Sequence, residues 1–151
     1  MRGFIFCTIL FFSLNAFSKN GVRTVSANSC KVTRINLALG ITTQIVFEQS
    51  PRVTLYADKK HFLIKTNKLT PRSLAIIPYF TPNEINLFRK PSGHLPSPQN
   101  LASILDKNFK TNLFVFFENN NQLMFELRFV EKEKADYILK VKQTFERTCV
   151  L

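Results

Sequence analysis

The side chains that could do chemistry are few and scattered along the chain. There are two histidines, His61 and His94. His61 follows two lysines at the start of a predicted strand, where we expect it to be exposed, and His94 lies in a proline-rich loop. Neither has a nucleophile motif beside it, and the sequence contains no G-x-S-x-G, P-loop or H-E-x-x-H pattern. We therefore expect a protein that is not an enzyme and that binds no metal and no cofactor.

The acidic residues give no better catalytic candidate. Glu131, Glu133 and Asp136 alternate with lysines, a pattern typical of a solvated turn. Hydrolysis by two carboxylates requires both groups to be held together in a cleft. No spacing in this sequence indicates such a pair.

The N-terminus has the pattern of a secretory signal peptide. Arg2 precedes an apolar run from Gly3 to Phe12, and Ala16-Phe17-Ser18 resembles a cleavage site. The run is shorter than the roughly 20 residues that a membrane-spanning helix requires. We predict a signal peptide over residues 1–18, one domain over 19–151 and a periplasmic location, with association to the outer membrane through partners. A retained N-terminal anchor is the alternative.

Cys30 and Cys149 are predicted to form a disulfide. Cys7 would leave with the signal peptide, and an even pair in an oxidising compartment favours a bridge. The bridge would close a loop of more than a hundred residues. The loop-entropy model predicts that such a bridge stabilises the folded protein by about 4–5 kcal/mol. Neither cysteine has a second metal ligand near it, and the sequence has no C-x-x-C redox motif.

The chain is strongly basic, with 21 Lys and Arg against 10 Asp and Glu. Such a balance favours acidic partners, among them anionic lipid head groups, polyanionic glycans or an acidic protein. A solvated basic surface without a ligand is the alternative. Nucleic acid is not expected, because an exported protein rarely meets it and no nucleic-acid-binding signature is present.

Apolar residues alternate with polar ones through the first half of the chain, which predicts strands. In the second strand of this series, Ile41, Thr43, Ile45 and Phe47 share one face; Val53, Leu55 and Ala57 do so in the third. The strands are predicted over 31–39, 41–48, 52–57, 61–66 and 73–80.

Residues 81–110 are predicted to be an insertion on this β scaffold. Thr81-Pro82-Asn83-Glu84 resembles a capping box before a short helix, although an extended segment is the alternative. Ser97-Pro98 is a candidate start for a second short helix. Its apolar residues, which keep helical spacing, are Leu101, Ile104, Leu105 and Phe109.

Residues 111–129 are predicted to form a hairpin whose first strand is apolar on both faces. A two-residue turn at Asn120-Asn121 would place Phe114 and Phe116 in the core. The second face would then carry Leu113, Val115 and Phe117 beside Met124, Glu126 and Arg128. A three-residue loop would swap the two faces of the first strand.

Both registers leave an apolar stripe on the outer face of the hairpin. The insertion could cover it with Leu101, Leu105 and Phe109. Otherwise the stripe is an assembly surface. The predicted partner interface consists of Leu113, Val115, Phe117, Met124 and Arg128.

A final strand over 135–141 follows the hairpin. The short spacing of strands and turns predicts an all-β fold, an antiparallel β-sandwich of about eight strands. The insertion precedes the penultimate hairpin.

The order of these elements resembles the N-terminal β-sandwich domain of the periplasmic core-complex subunit of type IV secretion and conjugation systems. The motifs that carry the resemblance are a "T-x-I-x-F" strand at 43–47, an apolar strand ending in proline at 74–78, "TNL-x-V" at 111–115 and "F-x-L" at 125–127. They span roughly residues 32–141. The chain departs from the family in its larger insertion and in stopping where members usually continue into a second β domain.

The resemblance implies a non-enzymatic periplasmic assembly module of an envelope-spanning secretion or conjugation apparatus. Its partners would be other core-complex subunits. The alternatives are a binding module for an anionic envelope component, a domain associated with secretin pores, and a protein that caps an exposed strand of a partner by β-augmentation.

Overall fold

The computed structural model describes residues 21–89, 91–146 and 149. The predicted signal peptide, residues 1–18, lies outside the described residues. Within them the chain forms nine strands and two α-helices. The strands are β1 Val22–Asn28, β2 Val32–Leu37, β3 Thr43–Phe47, β4 Val53–Tyr56, β5 Phe62–Asn67, β6 Thr70–Pro78, β7 Thr111–Phe116, β8 Gln122–Phe129 and β9 Ile138–Thr144. The helices are α1 Pro82–Asn86 and α2 Pro98–Phe109.

The strands form two sheets packed face to face, so the predicted β-sandwich is confirmed. One sheet has five strands in the order β1-β9-β3-β6-β5, and the other has four in the order β2-β8-β7-β4. The prediction of a wholly antiparallel fold is wrong, because β1 and β9, β2 and β8, and β3 and β9 pair in parallel. Alternation along a strand shows which face is buried, but it carries no information about the direction of the neighbouring strand.

The prediction also missed the first strand. Strand β1 alternates weakly, since Thr24 and Ser26 are exposed and Ala27 is its one fully buried residue. It is held in place instead by its parallel pairing with β9, from Val22 opposite Ile138 to Asn28 opposite Thr144.

The core lies between the two sheets and is built from the inward side chains of the alternating strands. The predicted inner face of β3 is confirmed, since Thr43, Ile45 and Phe47 are buried. Burial of each large apolar side chain contributes about 1.5–3 kcal/mol relative to exposure. The fully buried large residues are Phe62, Phe125, Ile35, Leu37, Ile45, Leu74, Ile76, Leu105, Leu113, Leu123, Leu127 and Leu139.

The insertion contains both predicted helices. Thr81 and Glu84 form the reciprocal capping box at the start of α1, and Ser97 caps α2 with Pro98 at its first turn. Leu105 is 1 % exposed and belongs to the main core. The insertion therefore packs against the core between the sheets.

Asp136 links three strands by hydrogen bonds. It is not part of the solvated turn that the sequence pattern indicated. Its carboxylate accepts hydrogen bonds from Arg23 Nε and Nη2, both at 2.7 Å, and from the backbone N–H of Asn36 at 2.8 Å. Thr43 Oγ1 donates to its carbonyl oxygen. Asp136 is 3 % exposed. A carboxylate at this depth requires such partners, because an unpaired buried charge is costly.

Cys30 and Cys149 form a disulfide, as predicted, across a sequence separation of 119 residues. Their Cα atoms lie 5.3 Å apart. Cys30 follows the end of β1, and the Ser29 backbone N–H donates to the Thr144 carbonyl at the end of β9. The bridge therefore reinforces the end of the β1–β9 ladder.

Candidate interaction surface

The turn between β7 and β8 decides which residues of the hairpin reach the surface. Glu118–Asn120 form a three-residue loop, closed by a 2.8 Å hydrogen bond from the Phe117 N–H to the Asn121 carbonyl. Asn119 and Asn120 have φ angles of 56° and 59°, which asparagine adopts more readily than most residues. The two-residue turn is therefore not formed, and the alternative face of the first strand points inward.

This register corrects most of the predicted partner interface. Leu113 and Val115 are 0 % exposed and Phe117 is 3 % exposed, so all three belong to the core. Met124 and Arg128 lie on the outer face and are half-buried. Sequence alternation could not settle the matter, because every residue from Leu113 to Phe117 is apolar.

The outer face of the four-stranded sheet carries an apolar row that crosses all four strands. The paired residues are Val32 and Met124, Met124 and Phe114, and Phe114 and Leu55. Residues paired in register point to the same face, so these four side chains lie side by side. Val32 is 50 % and Leu55 is 55 % exposed at the two ends of the row, and Met124 and Phe114 between them are half-buried.

Strand β4 forms one end of this row, and its predicted inner face is wrong. Val53, Leu55 and Ala57 are exposed, whereas Tyr56 packs against the core. Val53 pairs with Phe116 and so adds a second apolar pair beside the row. Alternation shows that these residues share a face, but it does not show on which side of the sheet that face lies.

The insertion does not cover the apolar row. Leu101, Leu105 and Phe109, which were candidates for covering it, pack against the core cluster instead. Within the described part of the chain, the two ends of the row, Val32 and Leu55, stay about half exposed. The insertion therefore packs against the core and not over the row.

A network of charges occupies the part of the same face nearest α2. Arg128 donates to Asp106 through Nε at 2.7 Å and through Nη2 at 2.6 Å. Glu126 lies 3.1 Å from Lys110 Nζ and 3.3 Å from Arg34 Nε. Arg128 is thus fixed to helix α2 and is poorly suited to be a free contact for a partner.

The charges in this network shift one another's pKa. The hydrogen bond to Asp106 raises the pKa of Arg128 above its ordinary value. Burial acts to raise the pKa of Asp106, but hydrogen bonds from Arg128 and the Phe129 N–H hold it below its usual range. Burial opposes the shift at Glu126 too, yet Lys110 and Arg128 keep its pKa low. All three groups therefore stay ionised at neutral pH.

A shallow hollow of about 710 Å³ lies between the apolar row and the charged network. Its apolar lining includes Leu55, Tyr56 and Phe114. Lys59, Lys110 and Glu126 supply its charged groups. It therefore offers an apolar surface beside two lysines, and Lys110 is already paired with Glu126.

His61 is enclosed rather than exposed, contrary to the prediction. Its side chain is 12 % exposed, and its ring contacts Phe80 and Phe109 at centroid distances of 4.9 and 4.5 Å. Nδ1 lies 2.9 Å from Asp58 Oδ2, and Nε2 lies 3.3 Å from Glu84 Oε1. The carboxylates of Asp58 and Glu84 therefore hold the ring in place from both sides. The cluster fastens the insertion to β5, while His94 is exposed in its loop.

Glu84 stays ionised in this cluster to low pH. The Lys60 ammonium is the main cause, followed by the hydrogen bonds from Thr81 and His61, and together they lower the pKa of Glu84 to about 2. The stabilisation from these contacts is present above the ordinary glutamate pKa and is lost as the pH falls towards 2.

The described residues contain no group of three or more histidine, cysteine, aspartate or glutamate side chains that could hold a metal ion. No helix among them is long and apolar enough to span a membrane. No protein-family model matches the chain. No curated protein is significantly similar to it.

Proposed function

We propose that this protein is a non-enzymatic periplasmic assembly module of an envelope-spanning secretion or conjugation apparatus. The observation that carries the proposal is the apolar row on the outer face of the four-stranded sheet, whose end residues Val32 and Leu55 are half-exposed. A soluble protein rarely leaves a contiguous apolar patch exposed unless the patch has a partner. The order of strands and motifs described above supports the choice of apparatus.

The sandwich is suited to a structural role. Asp136 and the Cys30–Cys149 bridge tie distant parts of the chain together. The apolar row lies on paired strands, so most of its side chains are presented by a rigid surface and little ordering is needed on binding. A disulfide agrees with the proposed periplasmic location, because such bonds persist in oxidising compartments.

The Leu55→Asp variant should bind the other purified core-complex subunits of its own system at least about 10-fold more weakly, because it places a charge within an apolar contact. Leu63→Asp is the matched control, since Leu63 is a similarly exposed leucine on edge strand β5 of the other sheet. Size-exclusion chromatography with light scattering, followed by calorimetric titration, measures the effect. A wild-type protein that binds none of these subunits would overturn the proposal.

A second candidate function is binding to an anionic envelope lipid or glycan. The tip of the β5–β6 hairpin favours it, because Leu69 is 89 % exposed and Lys65, Lys68 and Arg72 around it are also exposed. An apolar tip with a basic collar suits a surface of anionic head groups.

This second candidate predicts binding to vesicles of phosphatidylglycerol that weakens steeply with added salt. Lys68→Glu should weaken the binding more than Lys140→Glu, which makes the same change of charge at an exposed position of strand β9. Vesicle co-sedimentation between low and physiological salt measures it. Equal binding to neutral phosphatidylcholine vesicles would contradict it.

A further inference from the structure

Four strands lie at the edges of the two sheets, and β4 differs from the other three. The edge strands are β1, β5, β2 and β4. Strand β1 contains Arg23, β2 contains Arg34 and β5 contains Lys65 together with a break in its register. Strand β4, Val-Thr-Leu-Tyr, has no charge and no proline. Charges, prolines and bulges are the usual means by which proteins prevent an edge from pairing.

Strand β4 pairs with β7 on one side only within the described part of the chain. On its other side, no strand of the described residues pairs with its backbone N–H and C=O groups. An added strand would extend the four-stranded sheet and satisfy these groups. We propose that β4 is a docking edge that binds an extended segment of a partner protein by β-augmentation.

The side chains around β4 indicate the chemistry of that segment. Val53 and Leu55, 52 % and 55 % exposed, would lie beside every second residue of an added strand, so those residues should be apolar. Three basic residues flank β4: Arg52 before it, and Lys59 and Lys60 after it. Arg52 is paired with Glu118 and Lys60 with Glu84, so among the described residues Lys59 is the one of the three without an ion-pair partner. The partner segment is therefore expected to alternate apolar with acidic residues.

Charge also argues against a second copy of this chain as the occupant. Pairing β4 with β4 would bring together two molecules that each carry a net charge of +11. Like charges across an interface oppose association, whereas an acidic strand would be attracted to the same edge.

This inference rests on the proposed function, because it names the part of the outer face that a protein partner engages. The probe is a fluorescent peptide in which valine and glutamate alternate. It has about eight residues, enough to cover a typical strand. One comparison peptide has the same composition without the alternation. The other has lysine in place of glutamate. Fluorescence anisotropy measures affinity, and amide hydrogen exchange locates the site.

The alternating acidic peptide should bind best and should slow amide exchange in β4. Leu55→Asp and Val53→Asp should each weaken binding by about 10-fold, because each places a carboxylate beside the apolar residues of an acidic strand. Leu63→Asp on β5 should leave it unchanged, and far-ultraviolet circular dichroism checks that each variant is folded. Equal binding of all three peptides, protection elsewhere than β4, or a dimer of this chain through β4 would overturn the inference.

The two proposals can fail separately. If no peptide binds while Leu55→Asp still breaks the complex with the core-complex subunits, the docking edge is wrong and the assembly function stands. If the peptide protects β4 while none of the subunits binds, the edge stands and the choice of apparatus is wrong.

Discussion

Leu113→Ala is expected to lower the free energy of unfolding by about 2–5 kcal/mol, whereas Phe114→Ala should cost only about 1 kcal/mol although it removes a larger side chain. Leu113 is 0 % exposed and lies opposite Phe125 between the sheets. Its removal would leave a cavity in a closely packed core, and the surrounding side chains could relax only in part. Phe114 is half-buried on the outer face.

This pair of variants tests the register of the β7–β8 hairpin as well as its packing. Urea unfolding at equilibrium, followed by circular dichroism, measures both changes, and an unchanged dependence on urea shows that the folded states remain comparable. If Phe114→Ala were the more damaging variant, the strand would have the opposite face inward. The three-residue loop at Glu118–Asn120 would then be wrong.

Replacing both Cys30 and Cys149 with serine should lower the free energy of unfolding by about 4–5 kcal/mol, because the unfolded chain regains the entropy that the long loop removes. The bridge spans a sequence separation of 119 residues. Both cysteines are replaced together so that no free thiol remains to form mixed disulfides. Urea unfolding of the variant and of the oxidised protein measures the difference.

The loss of the bridge should also be visible locally. Ser29 hydrogen-bonds to the Thr144 carbonyl and, through Oγ, to the Glu146 backbone close to the bridge. Amide exchange should therefore rise first at the Asn28–Thr144 end of the β1–β9 ladder. A change of less than about 1 kcal/mol in global stability would contradict the loop-entropy account. Wild-type protein reduced with dithiothreitol is the control for effects of the serines themselves.

The sequence was sufficient for features that depend on local chemistry. Period-two alternation located β2 and β3 and their buried faces, and the Thr81–Glu84 pattern located the first helix. These features depend on neighbouring residues, which a sequence displays directly. The disulfide was predictable because only one pair of cysteines remains outside the predicted signal peptide.

Features that depend on distant parts of the chain were not predictable. The parallel pairing of β2 with β8 and the open position of β4 are set by the order of strands in the sheet. The length of the following loop decides which face of β7 points inward. Three consecutive asparagines are compatible with more than one loop length. Asp136 was assigned to a solvated turn because its partner Arg23 is 113 residues away.

The parallel ladders also determine when the protein can fold. Strand β2 pairs with β8, and β1 pairs with β9. Val22 therefore cannot pair until Ile138 has been synthesised, and Val32 cannot pair until Met124 has been synthesised. Such a fold has a high contact order and is expected to form slowly, after nearly the whole chain has been synthesised. Until then the early strands expose unpaired edges, which makes the nascent chain a candidate client for chaperones that protect aggregation-prone segments.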